Sequence, residues 1–262
     1  MPKFAANLSF LYQELPFLER FGAAAAAGFR GVECLFPYEV PASAIAAELE
    51  RHDLRLVLFN LPPGEFAKGE RGIAALPGRE GEFIAAVERA LGYALLTRCR
   101  QIHAVSGIWP EGRPRAEGEA VYVANLRLAA DLVAPHGIAL LIEPINPRDI
   151  PGYFVNTSEQ ALALIDRVER DNVKLQLDLY HRQIMAGDLA QHLRQLAGRY
   201  AHLQIAGVPE RHEPDRGEVN YPFLFRLLDE LGYDGWVGCE YRPAAGTAAG
   251  LGWARPWGIG GR

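Results

Sequence analysis

Eight short apolar runs alternate with longer amphipathic segments along this chain, and that alternation restricts the fold more than any other property of the sequence. The series opens with Phe4–Phe10, Leu15–Ala27, Val32–Phe36, Ala42–Arg51 and Leu54–Asn60, which read as strand, helix, strand, helix, strand. It continues through helix Glu80–Thr97, strand Gln101–Ser106, helix Glu117–Ala134, strand Ile138–Asn146, helix Ser158–Arg170 and strand Val173–Tyr180. Helix Asp188–Tyr200, strand His202–Ala206, helix Tyr221–Leu231 and strand Trp236–Arg242 complete it. Gly28, Gly137 and Gly232 each close a helical run just before a strand, where glycine takes up a left-handed conformation at no steric cost. The connections that follow strands are longer: Leu61–Arg79, Gly107–Arg115, Pro147–Thr157 and Gly207–Asn220. At 262 residues the chain is near the roughly 250 of one barrel, so the pattern predicts a single (β/α)8 TIM barrel over residues 1–245. An open doubly wound sheet would carry a glycine-rich phosphate turn after its first strand, where NLSFLYQEL stands.

Residues 246–262 form a glycine-rich tail with little apolar periodicity, read as irregular. Trp253 and Trp257 give it a means of anchoring to a surface or to a second subunit of a homo-oligomer. The N-terminus MPKFAANLSF shows no basic stretch followed by an apolar segment, and no apolar run approaches the roughly 18 residues of a membrane span. A cytoplasmic protein with no membrane partner is expected. Cys34, Cys99 and Cys239 lack the paired spacing of a zinc or redox site and read as reduced packing residues. A formal net charge of −5 opposes a nucleic-acid partner, because the phosphate backbone is bound through basic surface.

Four oxygen-bearing side chains sit late in four of the strand-like runs: Glu143 in ALLIEPIN, Asp178 in LQLDLYH, Gln204 in HLQIAG and Glu240 in WVGCEYR. Their separations of roughly 35, 26 and 36 residues approximate one strand-helix repeat each, so a barrel brings them together at the C-terminal ends of its strands. One such carboxylate could be a salt-bridged structural residue. Three at the same depth need a shared partner, since buried charge is costly unless it is paired or bound to a cation. Hard oxygen donors without thiolate or imidazole suit Mg²⁺ or Mn²⁺ better than Zn²⁺. His181, three residues after Asp178, is placed to contact a substrate oxygen or else to bond a loop carbonyl. Arg211 is placed to hold an anionic substrate, with Glu210, Glu213 and Asp215 as competing surface partners. Glu33 lies near the end of another apolar run with no second argument for chemistry, and Asn7 and His103 read as pocket lining or local hydrogen bonding. The only lysines, Lys3, Lys68 and Lys174, avoid late strand positions, which disfavours Schiff-base chemistry.

The segments FAANLSF, GFRGVECLFPYE, LPPGEFAKGERGIAALPGRE, LLIEPINPRDIPGYF, HLQIAGVPERHEPDRGEVNYPFLF and GWVGCEY extend over most of the chain. In these it resembles the hydroxypyruvate isomerase family of the xylose-isomerase-like barrel superfamily. That resemblance implies a divalent metal held by Glu143, Asp178, Gln204 and Glu240, with Glu143 and Glu240 exchanging the substrate proton. It implies interconversion of hydroxypyruvate and tartronate semialdehyde through an enediolate. The 2-oxo-tetronate isomerases share several of the same segments and act on an acid one carbon longer. EPIN with DIPGY favours hydroxypyruvate, whereas AGRYAH and RHEPD favour the tetronate branch, and the first is the expectation carried forward. Related ketose epimerases commonly have histidine where Gln204 stands, which argues against a general ketose epimerase.

Overall fold

The computed structural model describes residues 1–260. Its eight strands are β1 (Lys3–Asn7), β2 (Gly31–Cys34), β3 (Arg55–Asn60), β4 (Gln101–His103), β5 (Ala139–Ile142), β6 (Val173–Asp178), β7 (Tyr200–Ile205) and β8 (Trp236–Cys239). All pair in parallel with their sequence neighbours, and β8 returns to β1 with Lys3 opposite Trp236 and Ala6 opposite Cys239, closing the barrel. The helices between them are α1 (Glu19–Ala26), α2 (Ala42–Arg51), α3 (Glu80–Thr97), α4 (Arg115–Val133) and α5 (Ser158–Val168), then α6 (Leu179–Met185), α7 (Leu189–Gln195) and α8 (Tyr221–Glu230). Gly28, Gly137 and Gly232 all have positive φ, so the short turns under the barrel form as the sequence predicts.

Most of the apolar core lies between sheet and helices, with Phe4, Val32, Phe59, Ile102, Leu140, Leu175, Leu203 and Val237 buried against the helical ring. A separate cluster of Ala5, Val57, Leu58 and Leu141, with Trp236 packed on it, fills the end where the strands begin. Gly31 belongs to this floor, since a Cβ there would meet the Trp236 ring at 2.5 Å. Above the floor the interior turns polar, with Gln176, His202, Glu33 and His103 almost completely buried. The cysteines Cys34, Cys99 and Cys239 are free and buried, as packing residues should be.

The strands predicted over Phe4–Phe10, Ile138–Asn146 and Trp236–Arg242 end earlier, at Asn7, Ile142 and Cys239, and the helix predicted over Asp188–Tyr200 ends at Gln195, with Tyr200 opening β7. Two further differences bear on the site and the tail. The run read as one strand to Tyr180 stops at Asp178, whose Oδ1 accepts the Tyr180 backbone N–H at 2.8 Å and starts α6. His181 therefore sits on a helical turn over the barrel mouth. The tail is not irregular either: Thr247–Gly250 form a helical turn, α9, and Leu251–Trp257 a 3₁₀ segment. Trp253 and Trp257 pack edge-on against Phe4 at 5.2 and 5.5 Å, so the anchor is the chain's own barrel. Residues 261–262 of that tail lie outside the described residues. No helix among the described residues is long and apolar enough to cross a membrane.

Candidate active site

The candidate side chains stand where strands give way to loops. Asp178 is the last residue of β6 and Gln204 the penultimate residue of β7, while Glu143 and Glu240 come just after β5 and β8. Pro144 follows Glu143 and cannot donate to a neighbouring strand, which helps end β5 there. All four are buried, as is His181. They lie beneath a cavity of about 570 Å³ lined by Glu143, His181, Arg211, Glu240, His103 and Asn60, among others.

Two amides bridge two carboxylates beneath this cavity. Asn7 Nδ2 donates to Glu33 Oε1 and Glu240 Oε2, both at 2.9 Å. Gln204 Nε2 donates to the same two oxygens at 2.9 and 2.6 Å, while its Oε1 accepts from Gln176 Nε2 at 2.6 Å. His202 Nε2 lies 2.7 Å from the other Glu33 oxygen. Gln204 thus presents nitrogen, not oxygen, to Glu240, and ligation of a cation through it requires the amide to turn over.

Across the mouth, Glu143 Oε1 and Asp178 Oδ2 are buried without a hydrogen-bond partner among the described residues. Both lie near His181 Nε2, at 3.7 and 3.6 Å. Glu143, Asp178 and His181 can each offer a ligand atom within 4.8 Å of the others. The hydrogen bonding of His181 distinguishes it from the carboxylates. Asn146 Oδ1 accepts the Asp149 backbone N–H at 2.9 Å, which fixes the amide so that its Nδ2 faces His181 Nδ1 at 2.6 Å. Nδ1 is therefore an acceptor. Burial and the nearby Arg211 lower the pKa of His181 well below the ordinary value, so the neutral ring carries its proton on Nε2. His181 points an N–H, not a lone pair, at the two carboxylates.

Burial also raises the acids. Glu143 is pushed well above the usual carboxylate range by desolvation and then by the charges of Glu240 and Asp178. Desolvation takes Glu240 up to about 8 and Asp178 up to about 6, in both cases against the opposing pull of Arg211. Arg211 stands among them, with Nη2 2.6 Å from Glu240 and 3.6 Å from Asp178, and Nη1 3.0 Å from Asp149. Its guanidinium is flanked by the rings of Tyr180 and Phe10, at 4.7 and 5.0 Å. His103, 3.4 Å from Glu143, is held neutral by burial, its pKa lowered to about 3.

The structure brings the six sequence-predicted residues together at the ends of the strands: Glu143, His181, Arg211 and Glu240 line the cavity, Asp178 lies 3.6 Å from both His181 and Arg211, and Gln204 bonds Glu240 from below. Sequence reasoning missed the supporting groups His202, Gln176, Asn146 and Asp149. A signal existed for two of them: Gln176 and His202 lie two residues before Asp178 and Gln204, on the same face of the same strands.

The chain has close counterparts among known proteins. The xylose isomerase-like TIM barrel family matches residues 21–257. The chain belongs to that family. It is 54% identical to the 2-oxo-tetronate isomerase of Cupriavidus necator over 257 residues, covering 98% of this chain and 99% of the relative. It is 46% identical to the hydroxypyruvate isomerase of Escherichia coli K12, also over 257 residues, covering 98% and 100%. A crystal structure described as AP endonuclease, family 2, from Brucella melitensis superposes with a TM-score of 0.96 at 56% identity, covering 98% of this chain and 99% of that one. The chain is an enzyme of the isomerase class.

Proposed function

We propose that the protein isomerises a short 2-oxo acid, moving its carbonyl to the adjacent hydroxyl-bearing carbon. The observation that carries this reading is the pair of buried, unpartnered oxygens on Glu143 and Asp178, placed at the strand ends with the raised acid Glu240 in the same pocket. Such oxygens suit a hard divalent cation, Mg²⁺ or Mn²⁺, held by Glu143, Asp178, Glu240 and, once its amide turns over, Gln204. When bound, the ion would polarise the substrate carbonyl and ease loss of the neighbouring proton.

Glu143 and Glu240 are the two groups suited to move that proton. Their burial favours the protonated acid, so each carboxylate accepts a carbon-bound proton more readily than an exposed one. One takes the proton from the carbinol carbon and the other delivers one to the former carbonyl carbon, through an enediolate, while the proton of the carbinol hydroxyl passes to the former carbonyl oxygen. His181 contributes an oriented N–H to a substrate oxygen, with the Asn146 bond to Nδ1 holding its tautomer. Asn7 holds Glu240 in place from below, joined by Gln204 for as long as its amide has not turned over.

The greater identity to the 2-oxo-tetronate isomerase makes the four-carbon acid the first substrate to assay, in place of the hydroxypyruvate favoured by the EPIN and DIPGY segments. Hydroxypyruvate, with tartronate semialdehyde as its product, is the second reading, supported by 46% identity over nearly the whole chain. A polyanionic nucleic-acid substrate is opposed by the net charge of −5. Turnover of each acid with Mg²⁺ and with Mn²⁺, in D₂O, tests the proposal. Deuterium should enter the product carbon at early turnover, and Glu143→Gln and Glu240→Gln should each lose most of kcat, because an amide is a poor base. Metal-free activity equal to the loaded enzyme, or a near-parental kcat in either variant, would refute it.

A further inference from the structure

Arg211 is already engaged by Glu240 and Asp149, so the anionic end of the substrate requires another cation. Three further guanidinium groups line the same cavity, those of Arg71, Arg148 and Arg242, and none pairs with a carboxylate among the described residues. Arg71 is the one the fold holds in place. Its guanidinium stacks on the Phe66 ring at 4.1 Å, and that ring packs in turn against Phe36 at 5.4 Å. Nη1 donates to the carbonyls of Phe66 and Glu70, at 3.2 and 2.7 Å, leaving Nε and Nη2 without a partner among the described residues.

The nearest acid in sequence is unavailable to Arg71. Glu70 is gripped by Arg79 through both oxygens, at 2.7 and 3.2 Å, and also accepts the Glu65 backbone N–H at 2.6 Å. It packs so closely on Gly64, which has φ +80°, that a Cβ there would lie 2.0 Å from Glu70 Oε2. On the other side, Gly72, with φ +114°, donates to the Pro63 carbonyl and forms a bridge to Ser106. The chain is thus fixed on both sides of Arg71, which belongs to the wall of the cavity.

We propose that Arg71 is the carboxylate-binding residue of this site, with Arg148 and Arg242 adding positive charge at the rim. The ligand class is a short 2-oxo or 2-hydroxy monocarboxylic acid. The planar fork of arginine suits a carboxylate, and stacking on Phe66 restrains it before the ligand arrives. This rests on the proposed isomerase reading for the identity of the ligand, not for the presence of the subsite.

The test compares hydroxypyruvate with hydroxyacetone, which has a methyl group in place of the carboxylate, both as ligands of the Mg²⁺-loaded protein in calorimetry and as substrates. Arg71→Met should weaken hydroxypyruvate at least tenfold in Kd and KM, lower kcat by less than threefold, and change hydroxyacetone affinity by less than twofold. Arg71→Lys should fall between the parent and Arg71→Met. Arg226→Met removes an exposed positive charge from α8, away from the cavity, and controls for net charge. Equal losses for the acid and its neutral analogue, parental affinity in Arg71→Met, an equal loss in Arg226→Met, or no acid binding by the parent protein would each overturn the proposal. Hydroxypyruvate binding that depends on Arg71, without turnover of hydroxypyruvate or of the four-carbon 2-oxo acid, would support the subsite and overturn the isomerase reading alone.

Discussion

The buried Glu33–His202 pair should be a principal support of the site, and an isosteric change tests this without opening a cavity. Glu33 accepts from Asn7 and Gln204 on one oxygen and meets His202 at 2.7 Å on the other. Glu33→Gln puts an NH₂ group against one of these neighbours, and almost nothing at this depth is exposed to offer water instead. Leaving a buried polar group without its partner costs about 1–3 kcal/mol. For a domain of this size that corresponds to a loss of about 2–12 °C in Tm. Urea melts of Glu33→Gln, His202→Gln and the double variant should show that the double loses at least about 1 kcal/mol less than the two singles together, since contacting residues couple. Single variants that each lose under about 1 kcal/mol, or costs that add to within about 0.5 kcal/mol, would refute the assignment.

The barrel was legible because its signals are local. Strand and helix periodicities differ, and the turns beneath the barrel end in glycines whose positive φ the structure bears out at Gly28, Gly137 and Gly232. The four oxygen-bearing residues could be found because parallel strands of similar length place their ends at one height. The boundary at Asp178 was not legible, since an aspartate after LQL continues a strand or caps a helix equally well until the packing of α6 decides. The long-range hydrogen-bonding roles were also hidden. Glu33 reaches His202 across 169 residues, and nothing in GVEC announces it. The freedom of Arg71 depends on Arg79 having taken Glu70, which becomes apparent only when the β3–α3 loop is folded. Even the amide orientation of Gln204 follows from neighbours on three other strands or strand ends.

Three further outcomes are expected. In metal-free protein, Glu240 and Asp178 bind protons in the folded state up to about pH 8 and about pH 6, but in the unfolded chain only to their ordinary 4.5 and 3.8, so Tm should fall as pH rises from 5 to 8. Saturating Mg²⁺ should flatten that slope, and an equal slope with and without the ion in differential scanning would count against carboxylate ligation. Gly238→Ala would place a Cβ 2.3 Å from Glu33 Oε1 and should cost about 1–3 kcal/mol by overpacking, measured by urea melting; parental stability would contradict the close approach. The last outcome decides between two roles for Arg211. Its guanidinium already lies against Glu240 and near Asp178, two of the residues proposed to hold the ion, so arginine and metal compete for the same negative charge. Arg211→Met should therefore lower metal-free Tm, because the carboxylates lose their counter-ion, while raising Mg²⁺ or Mn²⁺ affinity about tenfold, equivalent to about 1.4 kcal/mol. A residue that serves the substrate carboxylate, the role first read from the sequence, gives the opposite pattern: unchanged ion affinity and a raised KM for the acid but not for hydroxyacetone. Calorimetric titration of the ion into both proteins separates the two, and unchanged affinity would reject the counter-ion assignment.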